Sequence, residues 1–344
     1  MAMTKLALVR DKHLNLHDIG NYYGLTKLGV DLLLCGTRKA PWDQIMEMYP
    51  LATPVCYSEL YEVFHHDPDV IDVPDAFYDF SRYFVDRFEK TVVVTWENLP
   101  GKVSLNPVAL ETLRKAWKVT ARSGLALYTD IRMHEIDFNK IFYIPGAVDT
   151  DFFQPPPTPP KNNVVLFVGR LTQEKGILDL IWAASVTDDI HVNVIGEGDP
   201  IYESLANHYA PGKFNFLGHV DRKYLPQWYQ QASVFCLPTL PLLNDHDPFG
   251  QWVEQFGQVY IEAMACGLPI ITYSSPVVQT IIPRDTPMIA PRDWGGLAYM
   301  LATYSDPNNI TYDWKANSEA SRKRALEKFS QIEVAKRIKD WYEL

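Results

Sequence analysis

Long apolar runs are missing from this sequence. No stretch approaches the roughly 18 consecutive apolar residues that a membrane-spanning helix requires. The N-terminal apolar run is too short for a signal peptide and reads as a first strand. Cysteine is scarce: the four thiols, Cys35, Cys56, Cys236 and Cys266, form no C-x-x-C and no pairing pattern, and read as buried thiols in a reducing compartment. Basic charge is short too. With 32 Lys and Arg against 42 Asp and Glu, the net charge of −10 argues against a general nucleic-acid binder and against a surface of basic membrane-docking patches. A cytoplasmic location is expected. Peripheral contact at the inner membrane face stays open, with residues 12–23 and Trp42 as its candidates. What is present, 47% hydrophobic and 22% charged residues over 344 positions, is the composition of a soluble protein long enough for two domains.

Strand and helix signals alternate along the first half. Residues 5–10 (KLALVR), 30–35 (VDLLLC), 54–57 and 91–95 (TVVVT) read as strands, and 42–49 as a helix. Residues 67–90 carry Phe77, Tyr78, Phe80, Tyr83, Phe84 and Phe88 at helix-like spacing and read as a packed helix face. A helix is predicted over 106–123, with Asn106 as N-cap, Pro107 at the first position and Gly124 as the stop. Strands are predicted over 125–128 and 141–144. In open α/β sheets ligands bind in loops at the carboxyl ends of strands. His13 and His17 after the first strand, and Trp96 and Asn98 after residues 91–95, are therefore acceptor-binding candidates. Surface-loop histidines and a turn capped by Asn98 would account for the same residues.

Residues 154–160 (QPPPTPP) are the one compositional break. Five prolines in six residues cannot join a helix or sheet interior, so this is a stiff linker. The domains are expected at 1–153 and 161–325, with a helical segment 326–344 packing on the outside or back on the first domain.

The second half repeats the strand–helix rhythm. Strands are read over 163–168, 191–195, 214–217 and 234–237, and helices over 177–186 and 225–232. Arg170 and Lys175, in a loop opened by Gly169, would neutralise a diphosphate. Gly196-Glu197-Gly198 would let backbone approach a ligand, and a hairpin-like turn explains it equally well. Gly257 turns the chain into a helix over 258–266, which Gly267 stops and Pro269 keeps from restarting. Glu254 before that helix and Glu262 within it can accept hydrogen bonds from sugar hydroxyls, beside a helix N-terminus that favours phosphate. Singly, each feature has a bland explanation as a solvated charge or helix surface. Jointly, at matching strand ends, they point to a nucleotide-sugar site.

The pieces FVGRLTQEKG (167–176), NVIGEGD (193–199), FLGHV (216–220) and EQFGQVYIEAMACGLPII (254–271), with IPGAVDTDFF (144–153) before the linker, resemble the large GT-B glycosyltransferase family with two glutamates separated by seven residues. That family includes glycogen synthases and bacterial mannosyltransferases. The resemblance covers residues 141–285 in motif and the first 140 in architecture only. It implies an α/β fold of two doubly wound Rossmann-like domains facing across a cleft. The implied activity is retaining transfer of a hexose from a UDP-, GDP- or ADP-sugar to a glycan, lipid or small-molecule acceptor, with no metal or other cofactor. By this resemblance Arg170 and Lys175 bind the diphosphate and Glu262 the ribose. Glu254 faces the transferred sugar, the Phe256-Gly257-Gln258 backbone reaches sugar and phosphate, and Gly218-His219-Val220 lies by the base. Asp245-His246-Asp247 only superficially resembles a metal clamp. The sequence departs from the family where a histidine often follows the fourth strand: here Thr95 leads into Trp96-Glu97-Asn98, and Glu97 or Asn98 would take the sugar contact. Competing readings are a nucleotide-sugar epimerase on the same fold and a non-catalytic sugar-nucleotide scaffold.

Overall fold

Short aliphatic runs become the strands of two parallel sheets. The computed structural model describes residues 3–10, 14, 16–95, 106–160, 162–240, 242–243, 251–252, 254, 256–306 and 312–344. These divide into two units, Met1–Ala147 with Phe329–Leu344, and Val148–Lys328. The division thus falls ahead of the Pro-rich stretch, and the last sixteen residues of the chain, 329–344, go with the first unit. Among the described residues no helix is long and apolar enough to cross a membrane.

The first unit holds strands β1 (Thr4–Val9), β2 (Val30–Gly36), β3 (Thr53–Cys56), β4 (Val70–Pro74), β5 (Thr91–Thr95), β6 (Lys118–Ala121) and β7 (Ile141–Tyr143). Their spatial order is β3-β2-β1-β4-β5-β6-β7, all in parallel register. The winding reverses between β1 and β4, the switch point where open α/β sheets gather ligands. Three stretches differ from expectation. Residues 67–90 are not one helix face: Val70, Ile71 and Val73 are buried in β4, and only Asp79–Val85 is helical. The aromatic run outweighed a five-residue strand that Pro74 closes.

The expected helix over 106–123 ends at Lys115, and Val119, Thr120 and Ala121 are buried in β6. The expected strand over 125–128 is instead part of the helix Gly124–Arg132. The reason is local: Ser123 Oγ accepts a hydrogen bond from the Ala126 N–H at 2.9 Å, a hydroxyl cap that makes Gly124 a beginning and not a stop. Ser123→Ala is expected to cost the first unit about 1 kcal/mol, read from urea unfolding midpoints at unchanged slope. Cys56 is also exposed, against the expectation of buried thiols. Cys35, Cys236 and Cys266 are buried, and burial pushes their thiols up.

The helix Gln331–Tyr342 lays Val334, Ala335, Ile338 and Tyr342 on one sheet face with Leu6, Leu8, Leu32 and Leu34. It comes so close that a Cβ on Gly24 would stand 2.2 Å from the Gln331 carbonyl oxygen. Beneath it lies a buried polar network on β4. Asp72 accepts from Arg10 Nη2 at 2.8 Å, Tyr22 Oη at 2.9 Å and Tyr342 Oη at 2.5 Å. Arg10 also pairs with Asp18. Burial pushes the Asp72 carboxyl above its usual range, against the pull of the Arg10 guanidinium.

The second unit holds β8 (Val164–Val168), β9 (His191–Ile195), β10 (Phe214–Phe216) and β11 (Val234–Cys236). A short antiparallel ribbon of β12 (Leu242–Leu243) and β13 (Gln251–Trp252) follows, then β14 (Ile270–Ile271). The sheet order is β10-β9-β8-β11-β14, with every pair parallel. Here the switch point lies between β8 and β11.

Candidate functional site

The loops leaving β8 and β11 flank that switch point, and they carry most of the expected donor residues. The loop after β8 is fixed by close backbone packing. A Cβ on Gly176 would stand 2.0 Å from the Pro238 carbonyl oxygen, and the Leu240 N–H donates to the Glu174 carbonyl at 2.9 Å. Both partners belong to the segment after β11, so the two loops are held against one another. Gly176 has φ +73°, which a side chain would strain. It leads directly into the helix Ile177–Ser185.

Gly169, Gly196 and Gly218 stand just beyond β8, β9 and β10 and are linked in a row. The Gly169 N–H donates to the Ile195 carbonyl at 2.9 Å and the Gly196 N–H to the Gly218 carbonyl at 2.8 Å. A Cβ on Gly196 would meet the Gly169 carbonyl oxygen at 1.9 Å, and one on Gly198 the Leu171 carbonyl oxygen at 2.2 Å. Gly196 and Gly198 thus let the protein's own backbone approach closely. His219 is largely exposed, with Nε2 3.8 Å from Asp221, and Val220 is half-buried.

Beyond β11, Gly257 (φ +77°) starts the helix Gln258–Ala265. Gly267 (φ +73°) ends it, its N–H donating to the Met264 carbonyl at 2.9 Å and the Leu268 N–H to that of Ala263 at 3.0 Å. The buried Tyr260 ties this helix to the end of β11, donating to the Leu237 carbonyl at 2.6 Å and lying 2.9 Å from Thr272 Oγ1. Phe256 is buried and Gln258 half-buried. Glu254 and Glu262 are both buried.

The charged side chains then sort themselves. Lys175 Nζ lies 2.6 Å from Glu254 Oε2, and both side chains are mostly buried. Arg170 does not join them: its side chain is 62% exposed and pairs with Glu174 at 3.2 Å. Glu262 pairs with Arg222, whose Nη1 is 2.5 Å from Oε1, and accepts from Tyr229 Oη at 3.3 Å. Burial and the Glu262 charge push the Tyr229 phenol up, so it remains a donor.

Arg222 and Tyr229 escaped the sequence reading. Tyr229 carried a signal, since it follows Leu225 at helical spacing and a buried tyrosine hydroxyl needs a partner. Arg222 lies 40 residues from its carboxylate and carried none. In the first unit, His13, Trp96, Glu97 and Asn98 lie outside the described residues, as do Asp245-His246-Asp247. His17 has its backbone in the helix Leu16–Gly20, and its side chain also lies outside them.

Residues 148–301 match the family model described as Glycosyl transferases group 1. This stretch belongs to that family. Outside curated relatives agree: over 179 residues, 45% of this chain, it is 28% identical to a D-inositol 3-phosphate glycosyltransferase of Xylanimonas cellulosilytica, covering 40% of that protein. Over 180 residues, 50% of this chain, it is 29% identical to a glycogen synthase of Mycobacterium tuberculosis, again covering 40%. The chain thus spans about two fifths of the length of these relatives. Among solved structures, a glycosyltransferase of Rickettsia africae superposes with a TM-score of 0.77 at 17% identity, over 100% of this chain and 99% of the other. HepE of Anabaena, crystallised with UDP and glucose, superposes with a TM-score of 0.76 at 15% identity, over 98% and 99%. At such identities the likeness carries the fold alone: the chain has the α/β architecture of the GT-B glycosyltransferases. Within it, the group 1 domain supplies the β8 and β11 loops described above.

Proposed function

We propose that the protein transfers a hexose from a nucleotide-sugar donor to a glycan, lipid or small-molecule acceptor, with retention of anomeric configuration. The observation that carries this reading is the placement of Lys175, Glu254 and Glu262 on loops and a helix flanking the β8/β11 switch point, in a group 1 glycosyltransferase domain. A protein with the same fold, HepE, crystallised with UDP and glucose and with UDP-glucose, supports it.

In this reading Lys175 meets the donor diphosphate, with Arg170 swinging in from its exposed position. As the bond between the anomeric carbon and the diphosphate oxygen breaks, the nucleoside diphosphate leaves with the electron pair, and the ammonium offsets its growing charge. Glu254, held by Lys175, stabilises the positive charge developing on the sugar. The acceptor oxygen bonds to the anomeric carbon on the same face and passes its proton to the departing phosphate. Glu262 accepts from the ribose hydroxyls. Lys175 and Arg170 take the charge-neutralising place that a divalent cation holds in metal-dependent transferases.

The test is a thermal-shift screen with UDP-, GDP- and ADP-sugars in EDTA. A cognate donor at a hundred times its Kd is expected to add about 2.7 kcal/mol of stability. No shift with any of these donors would overturn the reading.

A further inference from the structure

Glu262 is 1% exposed, yet its surroundings are polar and organised in layers. Arg222 and Tyr229 occupy one position on each carboxylate oxygen. An ionised carboxylate offers roughly four acceptor positions, and the hydrogen bonds from Arg222 and Tyr229 account for two of them. Arg222 is itself braced: its Cζ lies 5.0 Å from the centroid of the Phe153 ring, and that ring meets Tyr229 edge-on at 5.9 Å. Phe153 is braced in turn. Arg322 Nη1 donates to its carbonyl at 2.9 Å and to that of Ala265 at 2.5 Å, and Ala265 ends the helix that carries Glu262. The guanidinium, the ring beneath it and the helix are thus locked as one block within the second unit.

A buried carboxylate is costly unless its partner is well placed, and removing that partner leaves an uncompensated charge. An ion pair with a planar guanidinium also fixes direction as well as charge. We propose that Arg222 is a positioning residue. It aims the Glu262 carboxylate at the ribose of the donor, and so makes the site discriminate a ribonucleotide from its 2′-deoxy counterpart. This rests on the reading of Glu262 as the ribose contact. A site built to hydrogen-bond a hydroxyl rejects the analogue that lacks it, because the buried acceptor is then left unpaired.

The experiment uses the full chain and isothermal titration calorimetry. The probes are whichever of UDP, GDP and ADP binds best, and its 2′-deoxy form. Wild type is expected to prefer the ribonucleotide by roughly ten- to a hundredfold, the range of a hydrogen bond to a charged group. Arg222→Met should weaken ribonucleotide binding about tenfold and bring the ratio close to one, while Arg222→Lys, which keeps the charge, retains part of it. Glu262→Gln should also abolish the ratio. The double variant Arg222→Met/Glu262→Gln should bind no more weakly than Glu262→Gln, because the two residues act as a pair.

A wild-type ratio in Glu262→Gln would overturn the ribose reading itself. A ratio lost in Glu262→Gln but kept in Arg222→Met would overturn only the role of Arg222. Equal weakening of both nucleotides in Arg222→Met would do the same, by showing that the guanidinium touches the nucleotide elsewhere. Should Arg222→Met not fold by circular dichroism, Phe153→Ala removes the ring under the guanidinium and must lower the ratio. An unchanged ratio there counts against the proposal.

Discussion

Lys175→Ala is expected to lower turnover by roughly a hundred- to a thousandfold, the loss seen when one preorganised charge-stabilising donor is removed from an active site. Two effects combine at this position. The ammonium that would meet the departing diphosphate is gone, and Glu254, buried and 2.6 Å from that ammonium, is left without its ion-pair partner. Arg170→Ala should cost distinctly less, because the Arg170 side chain stands in solvent against Glu174 and must be ordered to reach the diphosphate, whereas Lys175 is already held in place. Steady-state rates of donor consumption, measured over a range of donor concentrations, rank the two. Near wild-type turnover in Lys175→Ala and in Glu262→Ala would remove the chemical basis of the proposed transfer. A larger loss in Arg170→Ala than in Lys175→Ala would move the diphosphate site to the outer edge of the loop.

The second large effect concerns stability. Asp72→Ala should destabilise the first unit by about 3–5 kcal/mol, the cost of stripping one partner from a buried ion pair. For a unit of this size that is a fall in Tm on the order of 10 °C. Arg10 would keep Asp18, but Tyr22 and Tyr342 would both lose their acceptor. Tyr342→Phe removes one charged hydrogen bond and should cost less, about 1.5–3 kcal/mol. Differential scanning calorimetry reads both. A first-unit transition unmoved in Asp72→Ala would mean that the network is a passenger of the apolar packing around it.

The sequence showed the second unit far better than the first, and the reason is local. Its strands β8 and β9 are aliphatic runs each closed by a glycine, and Gly176, Gly257 and Gly267 mark left-handed turns that few other residues tolerate. The elements read there fall within a residue or two of those observed, while the helices Ile201–Tyr209, Pro276–Ile281 and Trp294–Ser305 carry no reading. In the first unit, β4 lies hidden beside an aromatic run, and Gly124 reads as a stop because the hydroxyl that makes it a start belongs to the residue before it. The charge partners were less legible still. Arg170 and Lys175 look alike on paper, and only the fold shows one turned inward to Glu254 and the other outward to Glu174. Arg222 finds Glu262 through a sheet that no spacing rule describes.

The docking of the helix Gln331–Tyr342 on the first unit bears on how the chain is made. Residues 1–147 leave the ribosome without Val334, Ile338 and Tyr342, which complete one face of their sheet and the network on Asp72. Residues 148–328 form a contiguous unit and need wait for nothing further. Domains usually mature in the order of synthesis. Here the packing allows the reverse: the second unit can close first, while the first keeps an apolar sheet face uncovered until the helix Gln331–Tyr342 is made.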